Sequence, residues 1–239
     1  MNRFWKLSMD VLVLMFYINI VGIIVFFISP HMQMTEVNET KIMMKKTTQQ
    51  IDPIVKRYAR LHGMDWRFIY AMIYVESSFE ENARSQAGAV GLMQVMPTVG
   101  QDLDINNLYL PRQNIKAGVR HFYDYVHRIK GNTMHDRIHM ALAAYNGGIG
   151  HIYDAKRLAQ QRGLDPFSWS SIKKVLPDLE NPEIYRQTRH GYCQGRQIIQ
   201  YVEKIHKMYR RYKSAYPALP TIEEVQQRYT TISMADTTP

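Results

Sequence analysis

The chain has 239 residues, and its 30 Lys and Arg against 21 Asp and Glu give a formal charge of +9. Hydrophobic residues make up 46% of it, too many for a disordered chain, and thirteen Gly and ten Pro exclude a fibrous repeat. The single cysteine, Cys193, excludes an internal disulfide framework and any multi-thiolate metal site, while the positive balance points to an anionic partner: nucleic acid, a lipid surface or an acidic polymer.

Val11 to Ser29 is a run of nineteen residues without a formal charge. A hydrocarbon core of ~30 Å needs about 20 apolar residues, so the run suits one membrane span. Arg3 and Lys6 precede it, which puts the N-terminus in the cytoplasm and the rest of the chain outside. The run is longer than the apolar part of a cleaved leader, and no small-x-small site follows before Pro30. An uncleaved anchor over residues 1–30 is therefore expected, followed by a polar tether over 31–50. Most of the positive charge lies beyond residue 50.

From Ile51 onward apolar residues recur at helical spacing. Ile54, Val55, Tyr58 and Leu61 form one stripe, closed by His62-Gly63. Asp65 can cap a second helix with Phe68, Ile69, Met72, Ile73 and Val75 on its apolar face. Pro111 opens a third, through Ile115, Val119, Phe122, Tyr123 and Val126 to Gly131. Asp136 to Tyr145 is a fourth, stopped by Gly147-Gly148, and Gly195 to Tyr212 is the last long one. Alternating β-branched runs are absent. The expected fold is all-α, with about seven helices between residues 51 and 213. Pro217 and Pro220 open a polar tail, 214–239, expected to be loosely ordered.

Chemistry concentrates in three segments. Glu76 ends the run Ala71-Met-Ile-Tyr-Val and sits at a helix end. A carboxyl held against apolar walls has its charged form disfavoured, which is what a general acid near neutrality needs. The same pattern also fits a surface glutamate. Ser85-Gln-Ala-Gly-Ala-Val-Gly-Leu-Met-Gln-Val-Met-Pro-Thr98 combines turn glycines with the Gln94 amide, and Ala143-Ala-Tyr-Asn-Gly-Gly-Ile-Gly150 sets Tyr145 and Asn146 beside flexible glycines. Glu80 and Glu81 are candidates for a second carboxylate. His135 and His139 stand four apart, but no third ligand or His-Glu-x-x-His pattern accompanies them, so no metal is expected. Cys193, three residues after His190, reads as a packed thiol rather than a nucleophile. Lys204, Lys207, Arg210, Arg211 and Lys213 read as a solvated helix face rather than a nucleic-acid site.

Together the motifs Glu76-Ser-x-Phe, Ser85-x-x-Gly-Ala-x-Gly-Leu-Met-Gln-x-Met-Pro and Ala144-Tyr-Asn resemble the Slt-type lytic transglycosylases, lysozyme-like enzymes that cleave bacterial peptidoglycan. The resemblance runs from about Ile51 to Tyr212. Gly147-Gly-Ile-Gly-His-Ile-Tyr-Asp-Ala-Lys-Arg157, Trp169 and Tyr185-Arg-Gln-Thr-Arg-His-Gly-Tyr-Cys-Gln-Gly-Arg196 are similar to the catalytic module of the membrane-bound lytic murein transglycosylase F family. The solute-binding-like domain of that family has no counterpart in these residues, and its role is not carried over. The resemblance makes 51–213 the catalytic domain and Glu76 its single catalytic acid. It assigns substrate contacts to Ser77, Ser85, Gly91, Leu92, Met93, Gln94, Tyr145 and Asn146, and to Tyr192 as a late-edge aromatic. Gln187-Thr-Arg-His-Gly-Tyr192 departs from the family's Glu-Thr-Arg-x-Tyr, and Glu80-Glu81 stands where relatives have Asn or Asp and Pro.

The implied reaction cleaves the bond between N-acetylmuramic acid and N-acetylglucosamine and leaves a 1,6-anhydro end, without a cofactor. The resemblance and the anchor together imply a single-pass membrane protein with its catalytic domain in the periplasm, acting on peptidoglycan strands and not on nucleic acid. The alternatives are a muramidase on the same fold and a non-catalytic wall-binding scaffold.

Overall fold

Apolar spacing explains the long helices. We describe residues 50–217 from a computed structural model; they belong to the unit Gln50–Pro239. The expected anchor, nearly all of the tether and most of the tail lie outside the described residues. Among those described, no helix is long and apolar enough to cross a membrane.

Helix α1 spans 50–61 and buries Ile51, Val55, Tyr58 and Ala59. Leu61 was expected on that stripe but is 64% exposed. It lies six residues after Val55, roughly 120° around the helix at 3.6 residues per turn, so it faces away. Gly63, at φ +62, ends the helix, with the Met64 N–H reaching back to the Ala59 carbonyl at 2.8 Å.

Helix α2, Trp66–Ser77, is capped by Asp65, whose carboxylate accepts from the Arg67 N–H. Residues 67–73 are all buried, so α2 is enclosed on every side rather than along one stripe. Each fully buried large apolar side chain there contributes roughly 1.5–3 kcal/mol, well above the single Asp65–Arg67 ion pair. Arg67 also donates to the Tyr216 carbonyl and Tyr209 to Asp65, tying the start of α2 to the end of the last helix.

The remaining elements are α3 Pro97–Asp102, α4 Pro111–Arg128, α5 Met134–Gly147, α6 Ile149–Gln161, α7 Trp169–Val175, a 3-10 turn Leu176–Glu180, α8 Pro182–Tyr185 and α9 Gly195–Ala215. The described residues contain two isolated bridges, Arg84 to Val90 and Val90 to Val95, and no strand. The all-α expectation holds, with more helices than foreseen. Helices α3, α7 and α8 are four to seven residues long, too short for an apolar period to show. Helix α5 starts two residues earlier than expected, because Thr133 and Asp136 form a capping box. Helix α9 packs along α2, with Phe68 edge-on to Tyr209 at 5.3 Å and Tyr70 to Tyr212 at 6.2 Å.

Candidate active site

Glu76 occupies the last turn of α2, where the helix stops abruptly. Ser78 and Phe79 both take left-handed backbone conformations, with φ of 51° and 67°. Phe79 is buried against Tyr70 and Tyr74, which holds the reversal in place. The helix therefore does not carry Glu80 onto the face of Glu76. Neither Glu80 nor Glu81 lines the cleft in which Glu76 sits.

That cleft, of about 530 Å³, runs between the end of α2 and the exposed side of α9, with Asn146 of α5 at its edge. Among the described residues lining it, Glu76 is the only carboxyl. The hydroxyl of Tyr201, on α9, donates to Glu76 Oε1 at 2.5 Å. Burial pushes the Glu76 carboxyl up to about 7, against the Tyr201 hydrogen bond, which favours the charged form. Tyr201 and Tyr145 are themselves held far above the ordinary phenol range, first by burial and then by the Glu76 charge, so both stay protonated donors. In Tyr201→Phe the opposing bond is lost, and the titration midpoint of Glu76, followed by NMR of the labelled carboxyl, is expected to move above 7.

The loop 83–95 is bolted to this helix end. Ser77 donates its hydroxyl to the Leu92 carbonyl at 2.8 Å, and Tyr145 donates to the Met93 carbonyl at 2.7 Å. Gly91 to Gln94 form a turn closed by Gln94 N–H to the Gly91 carbonyl at 3.0 Å. Gly91 has φ +76, and a Cβ there would stand 2.4 Å from Asn114 Nδ2, so only glycine fits. The Gln94 amide donates to the Ala83 and Gly91 carbonyls, and Ser85 Oγ accepts from the Ala89 N–H. Leu92 and Met93 are buried.

The structure thus gathers Glu76, Ser77, Leu92, Met93, Tyr145 and Asn146 at one end of α2. It leaves Ser85, Gly91 and Gln94 engaged in the loop's own hydrogen bonds. Tyr192 is 53% exposed, edge-on to Tyr185, and borders a neighbouring depression that shares Asn146 and Gln197 with the Glu76 cleft.

Residues 53–167 match the family model described as Transglycosylase SLT domain. Over these residues the chain is similar to that family. The chain is 39% identical over 64% of its length to the membrane-bound lytic murein transglycosylase F of Desulfosudis oleivorans, covering 34% of that protein. It is 33% identical over 72% of its length to the protein of the same name from Shewanella loihica, covering 37% of it. It therefore spans about a third of the length of these relatives. The crystal structure of the 70-kDa soluble lytic transglycosylase of Escherichia coli shares the fold, with a TM-score of 0.51 and 19% identity over 72% of this chain and 25% of that one.

Three parts of this domain escaped sequence reasoning. Tyr201 sits in an apolar period with Ile198 and Val202 and reads as core; only its place opposite Glu76 gives it a role. Asn114, 1% exposed, accepts from the Met93 N–H at 2.8 Å and donates to the Val90 and Leu108 carbonyls. Asp154, 1% exposed, accepts from the backbone N–H groups of Arg189 and His190, from His190 Nδ1 and from Arg157. It anchors the loop that carries Tyr192.

The basic run on α9 is also not one solvated face. Lys204, Lys207 and Arg211 line the Glu76 cleft, whereas Arg210 and Lys213 do not. Cys193 is buried, and burial pushes its thiol up to about 11, so it stays a neutral packed group. His135, His139 and His206 lie close together, His139 and His206 with rings stacked at 4.0 Å. Burial pushes His206 down to about 4. Among the described residues no group of three or more His, Cys, Asp or Glu is placed to hold a metal ion.

Proposed function

We propose that this SLT domain is a peptidoglycan lytic transglycosylase in which Glu76 acts first as acid and then as base. The observation that carries the reading is the lone carboxyl in the cleft, which burial pushes up to about 7. Two-carboxylate glycosidases hold a second Asp or Glu roughly 5–9.5 Å away across the sugar, and among the described residues no other carboxyl lines this cleft. On this reading one residue serves both steps.

Glu76 gives its proton to the glycosidic oxygen as the bond from C1 of N-acetylmuramic acid breaks, and N-acetylglucosamine leaves with a free 4-hydroxyl. The resulting carboxylate takes the proton of the muramic 6-hydroxyl as that oxygen bonds to C1. Glu76 returns to its acid form, a 1,6-anhydro ring closes, and no water is consumed. The Tyr201 hydroxyl orients the carboxyl and stabilises it between the two steps. Asn146 at the cleft edge and Tyr192 beyond it bind sugar. Ser77, Leu92, Met93 and Tyr145 fix the wall opposite α9, and Ser85, Gly91 and Gln94 shape the loop behind it.

Only the protonated enzyme starts the reaction, so kcat/KM is expected to level off at acidic pH and to fall tenfold per pH unit well above about 7. The rival is a muramidase that hydrolyses the same bond. Digestion of sacculi in heavy-oxygen water separates the two: a hydrolase labels each new reducing end, and this domain is expected to label none. We read residues 1–30 as a membrane anchor and 31–50 as a tether holding catalytic domain 51–213 in the periplasm. The uncharged run Val11–Ser29 supports that reading, and residues 214–239 are read as a tail.

A further inference from the structure

Along the Glu76 cleft, α9 presents a single stripe with a polarised composition. Gln197, Tyr201, Lys204, Lys207 and Arg211 recur at spacings of four, three, three and four, and Gln200 stands four before Lys204, which places them on one face. The amides stand at the N-terminal end and the cations at the C-terminal end, with Tyr201 between them bonded to Glu76. At 1.5 Å rise per residue, Lys204 and Lys207 lie roughly 4.5 and 9 Å along the helix axis from Tyr201.

Some lysines among the described residues are held by carboxylates. Lys56 pairs with Asp52, and Lys173 with Glu203. Lys204 and Lys207 are exposed and have no ion-pair partner among the described residues. The protonation of Glu76 is governed first by burial and then by Tyr201. Two unpaired like charges, adjacent on one face of a substrate-sized cleft, repel each other unless an anion lies between them.

We propose that Lys204 and Lys207 form a subsite for carboxylate groups carried by the glycan strand, next to the bond that Glu76 cleaves. The assignment rests on reading the cleft as a glycan site. A lysine is a point charge suited to flexible carboxylates, which the peptide stems of peptidoglycan carry in number and the lactyl ether supplies once a stem is removed. The neutral amide end of the stripe then faces the sugar, and the strand is held with its anionic side groups toward the C-terminal half of α9. Salt should weaken this contact, since both lysines are exposed.

The test uses the full chain with Glu76→Gln, so that ligands are bound without turnover. Three ligands are compared: neutral β-1,4-linked N-acetylglucosamine oligomers, glycan strands stripped of their stems, and strands with stems intact. Adding Lys204→Gln and Lys207→Gln is expected to weaken binding of stemmed strands about tenfold, since two exposed charge contacts are lost, and to change binding of the neutral oligomer less than twofold. Restoring the charge as Lys204→Arg and Lys207→Arg should recover most of the loss. An equal loss on stripped strands assigns the site to the lactyl carboxylate, and a loss confined to stemmed strands assigns it to the stem. Unchanged binding of stemmed strands, or an equal loss on the neutral oligomer, overturns the subsite. Failure of the underlying reading looks different: the chain with Glu76 intact then releases no fragments from sacculi, while the charge-dependent loss of binding persists.

Discussion

Glu76→Gln is expected to lower the release of soluble fragments from sacculi by about ten-thousand-fold, the upper end of what one positioned acid–base group contributes. The same substitution is expected to stabilise the fold. Burial holds the carboxyl near 7 against an ordinary value of 4.5, so the folded protein prefers the protonated form. Glu76 therefore favours folding fully below about 4.5, and that contribution is lost as pH rises through about 7. Above pH 8 the ionised group costs up to roughly 3 kcal/mol, at about 1.36 kcal/mol for each pH unit separating the folded from the unfolded value. Glutamine keeps an oxygen for the Tyr201 hydroxyl and carries no charge. Denaturant melts should show the variant more stable than the natural chain at pH 8 and nearly equal to it at pH 4. An active-site residue whose removal raises stability is one held there by function, not by folding.

Asn114→Leu should be the most damaging single change outside the cleft. The amide is buried and makes three bonds to backbone groups of other segments. Leucine leaves the Met93 N–H and the Val90 and Leu108 carbonyls without that partner, at about 1–3 kcal/mol for each buried group left unpaired. A loss of roughly 3–5 kcal/mol in chemical denaturation is expected. The loop around Met93 also takes a hydrogen bond from Tyr145 and, through Leu92, from Ser77, so fragment release should fall with stability. Gln94→Ala, which removes only amide bonds within the loop, should cost far less in the same assay.

The long helices were legible because their signals are local. Asp65, Pro111 and the apolar period after each are enough to place α2 and α4, and Gly147-Gly148 marks the end of α5 near Tyr145. Helices α3, α7 and α8 are shorter than the window in which a period shows, and Leu61 fell on the wrong face by its spacing from Val55. Glu76 stood out as a candidate for a local reason too, an apolar run ending in a carboxyl at a helix terminus, but that pattern fits a surface glutamate equally well and its burial against Tyr201 is seen only in the fold. What stayed hidden depends on pairs distant in sequence. Tyr201 lies 125 residues from Glu76, Asn114 bonds backbone groups up to 24 residues away, and Asp154 holds a loop 35 residues on. The lysines of α9 were visible as a charged face, but periodicity within one helix does not say which neighbour shares that face. Their place along the cleft comes only from the packing of α9 against α2.

Mass spectrometry of sacculi digested side by side by the natural chain and by Glu76→Gln bears most directly on the lone-carboxyl mechanism. The natural chain should release fragments ending in 1,6-anhydro-N-acetylmuramic acid, and the variant should release almost none. Reducing ends from the natural chain, or anhydro ends from the variant at a comparable rate, would contradict the role given to Glu76.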